Sequence, residues 1–258
     1  IAFGHDPATL QKALDKGAAD TVTTSMEEAV KDADIVVSAV PVEAMESVFT
    51  EMAPFLKSDA VVTDVGSTRQ TVIAAARKGL GDKFHQYAPA HPIAGGEMPG
   101  VDYASADLFD EKVVISTPDE GMDPKVVTFI EEAWRKAGAR VQAMSPLQHD
   151  LTFASVSHLP HVLAYALVDM IAREENAQEK LKMAGAGFRD FTRIASSSPV
   201  MWRDICLSNR EALSHELKRY RASLDTLQKY MDESDGKALE SVFENAVRNR
   251  RGLVFPGK

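Results

Sequence analysis

The chain has one cysteine, Cys206, among 258 residues. That excludes an internal disulfide and fits a reducing compartment. Positive charge is also scarce, with 29 Lys and Arg against 38 Asp and Glu and a formal net charge of −9. Such a balance argues against the broad electrostatic footprint of a nucleic-acid binder. The one dense basic cluster, Arg248, Arg250 and Arg251, reads as a solvated helix end favoured by the macrodipole. No uninterrupted apolar run approaches the ~18 residues of a membrane span. The longest candidates, Ile35 to Val42 and Leu159 to Leu167, are broken by Pro and His. A signal peptide would need a basic flank and an apolar stretch, and neither is present. Metal ligation is not expected: no HxxxH or CxxC has acidic company, and the His158/His161 pair has no third ligand nearby. There are no internal repeats and no low-complexity tract. The expectation is a cytoplasmic protein with neither a nucleic-acid nor a membrane partner.

What is present is ordinary for a globular protein, 45% apolar and 26% charged. At about 150 residues per domain the length suggests two domains. Over residues 1–146 short β-branched runs alternate with helical patterns, which predicts a doubly wound, Rossmann-like, mainly parallel sheet. The strand candidates are Ile35 to Val40, Val61 to Val65, Lys112 to Thr117 and Ala139 to Ala143. Helices are expected over Ala8–Lys16, Met26–Lys31, Val42–Leu56, Arg69–Lys78 and Pro124–Ala137. There is no initiator Met, and Ile1 to Asp6 reads as the end of a strand already under way, so sequence upstream of Ile1 is expected. Residues 147–258 show only helical periodicity and are expected to form an all-α domain. Within it Leu151 to Ala172 is apolar almost all round and should be buried, within the fold or a subunit interface, with a kink at Pro160. Pro199 to Glu233 reads as one long amphipathic stretch.

Ligands of doubly wound sheets bind beyond the carboxyl ends of the strands. Several polar residues fall there. Asp6 follows the first visible strand, where it suits either a ribose hydroxyl or a helix N-cap. Val40 and Pro41 close the Ile35 strand, and Ser67 follows Val61 to Val65. His91 precedes Pro92, with Gly95 and Gly96 soon after, and is placed on a ligand-approaching loop. In the helical half Ser157 and His161 share a helix face beside Pro160. Arg193, amid Phe191, Thr192 and Ile194, is read as a buried guanidinium suited to a carboxylate. Together these suggest redox chemistry on a small anionic substrate.

The ordered runs Asp64-Val-Gly-Ser-Thr-Arg69, His91-Pro-Ile-Ala-Gly95, Ser157-His-Leu-Pro-His161, Asp190-Phe-Thr-Arg-Ile-Ala195 and Met201-Trp-Arg-Asp204 resemble the prephenate/arogenate dehydrogenase family. The resemblance spans nearly the whole chain. It implies a dinucleotide domain followed by a helical dimerisation domain, hence a homodimer. It also implies NAD as cofactor and oxidative decarboxylation of prephenate to 4-hydroxyphenylpyruvate, or of arogenate to tyrosine. By motif, His91 would bond the ring C4 hydroxyl, Ser67 would orient nicotinamide and substrate, and Arg193 would hold a substrate carboxylate. Ser157 and His161 would line the pocket, with Glu97 and Trp202 as weaker candidates at the substrate side-chain end. Asp6 with Val40, Pro41 and Ser67 would bind the cofactor and favour NAD over NADP. The family's Gly-rich fingerprint lies about 30 residues before the position of Asp6, outside this sequence. A two-domain hydroxyacid dehydrogenase and a non-catalytic binding module are the competing readings.

Overall fold

The computed structural model describes residues 1–96 and 100–253. β1 (Ala2–Phe3) leads through Asp6 into α1 (Pro7–Asp15). Asp6 is an N-cap: its carboxylate accepts from the N–H groups of Ala8 and Thr9, and Pro7 fills a first-turn position that needs no donor. β2 (Val22–Thr23) runs parallel to β1, and α2 (Met26–Val30) follows, capped by Ser25. Next come β3 (Ile35–Ser38), a 3-10 turn at Val42–Ala44, and α3 (Met45–Met52). β4 (Val61–Asp64), α4 (Gln70–Leu80) and β5 (Tyr87–Ala88) complete this layer. β3, β4 and β5 are parallel neighbours in that order, with Ile35 opposite Val61 and Ser38 opposite Asp64.

Burial explains this pairing. Val62 points into a cluster built from α3 and α4, where Met45, Phe49, Met52, Val72, Ala76 and Tyr87 are all enclosed. α4 crosses α3 at Gly79, where a Cβ would stand 2.6 Å from the Phe49 Cβ. Among the described residues the β1–β2 pair does not hydrogen-bond to the β3–β4–β5 sheet. A cleft of about 570 Å³ separates them, lined by Ile1, Phe3, Val30, Ile35 and Val37 among others.

β6 (Ala90–Ile93), β7 (Val113–Ser116), α5 (Pro124–Lys136) and β8 (Arg140–Ala143) form the next unit. β6 is antiparallel to β7, and β8 is parallel to it. The architecture is thus a Rossmann-like, mainly parallel sheet, as expected, with one antiparallel pair that carries His91 opposite Ile115.

The rest is helical: α6 (Pro146–Phe153), a π-helical turn at Ala154–His158, α7 (Leu159–Ala172), α8 (Ala177–Lys182) and α9 (Ala186–Thr192). A 3-10 turn at Arg193–Ser196 then leads to α10 (Pro199–Ser208), α11 (Arg210–Asp232) and α12 (Gly236–Gly252). The irregularity expected at Pro160 takes the form of the π turn just before it. Pro160 sits where the π turn passes into α7, and the wider turn accommodates a residue without an N–H inside the helical run. The Pro199–Glu233 stretch divides at Asn209, whose side-chain amide donates to the Asp150 carbonyl at 2.8 Å. One expectation is met in part and one needs correction. Leu151, Val156 and Met170 are 50%, 67% and 57% exposed, so the apolar helix is not buried on all sides within one chain. The continuous helical run Pro146–Ala172 is also long and apolar enough to cross a membrane by length and composition. Scattered polar residues hide that in a search for uninterrupted runs.

One ion pair fixes the turn after β4. Arg69 is fully buried, and its guanidinium donates to both oxygens of the equally buried Asp64, at 2.6 and 3.2 Å, and to the Ala90 carbonyl at 3.2 Å. Tyr87 also donates its hydroxyl to Asp64. A Cβ on Gly66 would lie 2.7 Å from the Arg69 Nη2, so only glycine leaves room for the pair. Arg69→Leu, which strands the Asp64 charge, should cost about 3–5 kcal/mol in urea unfolding. A loss below about 1 kcal/mol would contradict this account of the turn.

Candidate active site

Three segments meet at the turn between β4 and α4. α4 has no side-chain cap of its own and no acidic residue in its first turn. The Asp150 carboxylate of α6 supplies that function from the helical half. It accepts from the N–H of Arg69 at 2.8 Å, from the N–H of Gln70 at 2.9 Å and from the Gln70 Nε2 at 3.3 Å. The same carboxylate faces the His149 Nδ1 at 2.9 Å. The His149 Nε2 lies 2.7 Å from the His91 Nδ1. Phe153 stacks on His149 at 4.4 Å between ring centroids and flanks His91 at 5.0 Å. On the other side of the turn, buried His158 bonds to the Ser67 backbone and meets the Asn209 amide at 3.2 Å. His161, one turn further along, donates its Nδ1–H to the Ser157 carbonyl at 2.9 Å. Its ring stacks on Trp202 at 3.6 Å, and the buried Trp202 Nε1–H has no hydrogen-bond partner among the described residues.

Two family models match, described as the nucleotide-binding domain of prephenate dehydrogenase over residues 1–143 and its dimerization domain over residues 145–245. The chain belongs to the prephenate dehydrogenase family. It is 37% identical to the cyclohexadienyl dehydrogenase of Zymomonas mobilis over 94% of this chain and 82% of that one. It is 35% identical to the prephenate dehydrogenase of Bacillus subtilis over 95% of this chain and 67% of that one. Its fold matches the Aquifex aeolicus prephenate dehydrogenase solved with hydroxyphenyl propionate and NAD+, with a TM-score of 0.88 and 34% identity over 96% of this chain and 87% of that one.

In this family member the residues singled out from sequence are not all gathered at one point. Ser67, His91 and His158 lie around Arg69 and His149, whereas His161 sits one turn away against Trp202 and bonds the Ser157 carbonyl. His91 lies on β6, not on a loop as expected, because the antiparallel ladder with β7 extends through Pro92 to Ile93. Arg193 is exposed at the end of α9, not buried, since its flanking apolar residues face α7 and solvent on a short helix end. Asp6 is exposed beyond β1; Val40 is half-buried and Pro41 exposed beyond β3. Trp202 is buried on α10, and Glu97 lies outside the described residues. Sequence reasoning passed over His149, Asp150 and Arg69. The available signal was an adjacent His-Asp pair just inside a helix that Ser145 and Pro146 open.

Burial sets the electrostatics. It holds His91 well below the ordinary imidazole value, with neighbouring His149, Arg69 and His158 further disfavouring a charge there. Burial likewise lowers His149 and takes His158 down to about 4. Burial pushes Asp150 up, but hydrogen bonds from His149, Gln70 N–H and Arg69 N–H outweigh it and hold the carboxylate below its usual value. A histidine whose folded pKa is depressed gives stability that is complete above its unfolded value near 6.5 and lost as pH falls. For His158 that window runs from about 6.5 to about 4. Its full shift corresponds to roughly 3 kcal/mol. The urea midpoint should therefore drop between pH 7 and pH 5, and less so in His158→Gln. A midpoint unchanged across that range would refute the buried-neutral assignment.

Proposed function

We propose that the protein oxidises and decarboxylates prephenate to 4-hydroxyphenylpyruvate, with His91 as the base for the ring C4 hydroxyl. The observation that carries this is a neutral, buried histidine held at the junction of a Rossmann-like sheet and a helical half. An imidazole kept neutral at working pH accepts a proton; one already protonated does not. As hydride leaves C4, His91 takes the hydroxyl proton. The ring carboxylate departs as CO₂, its bonding electrons aromatise the ring, and the proton returns to the phenol oxygen. Arg193 pairs with a substrate carboxylate, for which its planar fork is suited. Ser157, His161 and the Trp202 Nε1–H, which has no partner among the described residues, line the substrate side.

The residues present fit NAD. Ser38 Oγ, buried at the carboxyl end of β3, has no hydrogen-bond partner among the described residues, as suits a polar ligand crossing the strand ends. Val40 and Pro41 follow it, Ser67 follows the neighbouring β4, and Asp6 presents an exposed carboxylate beyond β1. Asp6 would bond the ribose hydroxyls, and Val40, Pro41 and Ser67 would hold the nicotinamide end. When bound, NAD supplies the hydride acceptor. Residues 1–146 act as the dinucleotide-binding domain and 147–258 as the substrate and dimerisation domain. The exposed apolar side chains of the helical half, among them Met170, Phe243 and Val247, support a homodimer formed there. The enzyme is cytoplasmic and works without a nucleic-acid or membrane partner.

NADH and 4-hydroxyphenylpyruvate should form from prephenate and NAD. His91→Asn should lower kcat about 10²–10⁴-fold with KM within a few fold. Arg193→Gln should instead raise KM, with a smaller effect on kcat. No NADH from prephenate, or a His91→Asn variant with more than half the original kcat, would overturn the reading.

A further inference from the structure

The chain of contacts behind His91 fixes where its protons sit. Among the described residues the Asp150 carboxylate meets two backbone N–H groups, one side-chain amide and a ring nitrogen of His149, and no acceptor. A carboxylate so surrounded is ionised and has no hydrogen to give. The His149 Nδ1 facing it must therefore carry the hydrogen. A neutral imidazole has one N–H, so the His149 Nε2 is a bare acceptor. Its neighbour at 2.7 Å is the His91 Nδ1, which must then be the donor. That leaves the second nitrogen of His91, Nε2, without a hydrogen.

We propose that His149, held by Asp150, locks His91 in its Nδ1–H tautomer and so makes the His91 Nε2 the acceptor of the substrate hydroxyl proton. His149 is a positioning residue: it acts through His91 and need not touch the substrate. The inference rests on His91 being the base, and it names the nitrogen that does the work and the residue that selects it.

The alternative arrangements are unfavourable for stated reasons. Reversing the His91–His149 bond would turn a lone pair of His149 Nδ1 onto the Asp150 carboxylate at 2.9 Å. Protonating His149 would bury a cation close to Arg69, with Asp64 already committed to Arg69. Rotation of the rings is opposed by Phe153, which packs on both. The lock also serves the reaction. Once His91 takes the hydroxyl proton at Nε2, its charge is shared through the Nδ1–H bond to His149 and on to Asp150. That offsets the burial which otherwise makes His91 a weak base.

The test is long-range ¹H–¹⁵N correlation spectroscopy of the histidine rings at pH 7, in the protein without substrate or NAD. The wild type should show the His91 Nε2 as the unprotonated nitrogen. His149→Gln should keep that pattern, because its amide oxygen accepts from the His91 Nδ1–H while its NH₂ donates to Asp150. His149→Phe should lose it, giving mixed tautomers and a kcat lowered about 10²–10⁴-fold at nearly constant KM. Glutamine at the same position should retain kcat within about tenfold, a rescue that simple packing would not produce. A wild-type spectrum with the proton on Nε2, or an unaltered His91 tautomer in His149→Phe, would overturn the proposal. Should the Phe variant not fold, the wild-type and Gln spectra decide. Because the spectra need no turnover, failure of the lock and failure of the assigned reaction are seen separately.

Discussion

The carboxylate of Asp150 does for α4 what no described residue of the sheet half does. A helix N-terminus leaves several backbone N–H groups without partners, and the cost of burying them unpaired is large. Here Arg69 and Gln70 present two such groups, and they are answered by a side chain some eighty positions later in the chain. The interaction is charge-assisted, favoured by the helix dipole and enclosed by protein, all of which strengthen it. It also fixes the position of α6 relative to the β4–α4 turn. His149, His158 and the π turn are carried on that same helical run, so their distances to Ser67 and His91 follow from the clasp.

Arg69 links the clasp to the sheet. Its backbone N–H faces Asp150, and its guanidinium joins Asp64 on β4 to the Ala90 carbonyl on β6. His91 is the next residue on that strand. A single buried arginine thus ties the parallel sheet, the antiparallel strand and the helical half at one point. A buried ion pair adds little net stability compared with a well-packed apolar pair, but it is strict about geometry once present. The three buried histidines around it are kept neutral, which suits a site that must accept a proton and disfavours acid conditions.

The centre of the sheet was legible in the sequence because β4 and β7 are β-branched runs that are almost wholly buried, and such runs have few other uses. Val61 to Asp64 and Val113 to Ser116 are of this kind. His91 was assigned to a loop because Pro92 and Gly95 signal a turn locally. The ladder to β7 is a long-range pairing that local chemistry does not reveal. Motif order and helical spacing single out Ser67 and His161 as candidates. His149 and Asp150 could not, because their role depends on where α4 begins in space. Arg193 was misjudged on burial for the opposite reason: apolar neighbours in sequence do not enclose a side chain at the end of a seven-residue helix.

Backbone amide exchange at Arg69 and Gln70 tests the clasp most directly. If Asp150 holds the start of α4, both amides should exchange only through global or near-global opening in the wild type. In Asp150→Ala both should become fast while the centre of α4, at Ile73 to Ala76, remains protected. Amides that exchange quickly in the wild type, or that keep full protection in Asp150→Ala, would contradict the account.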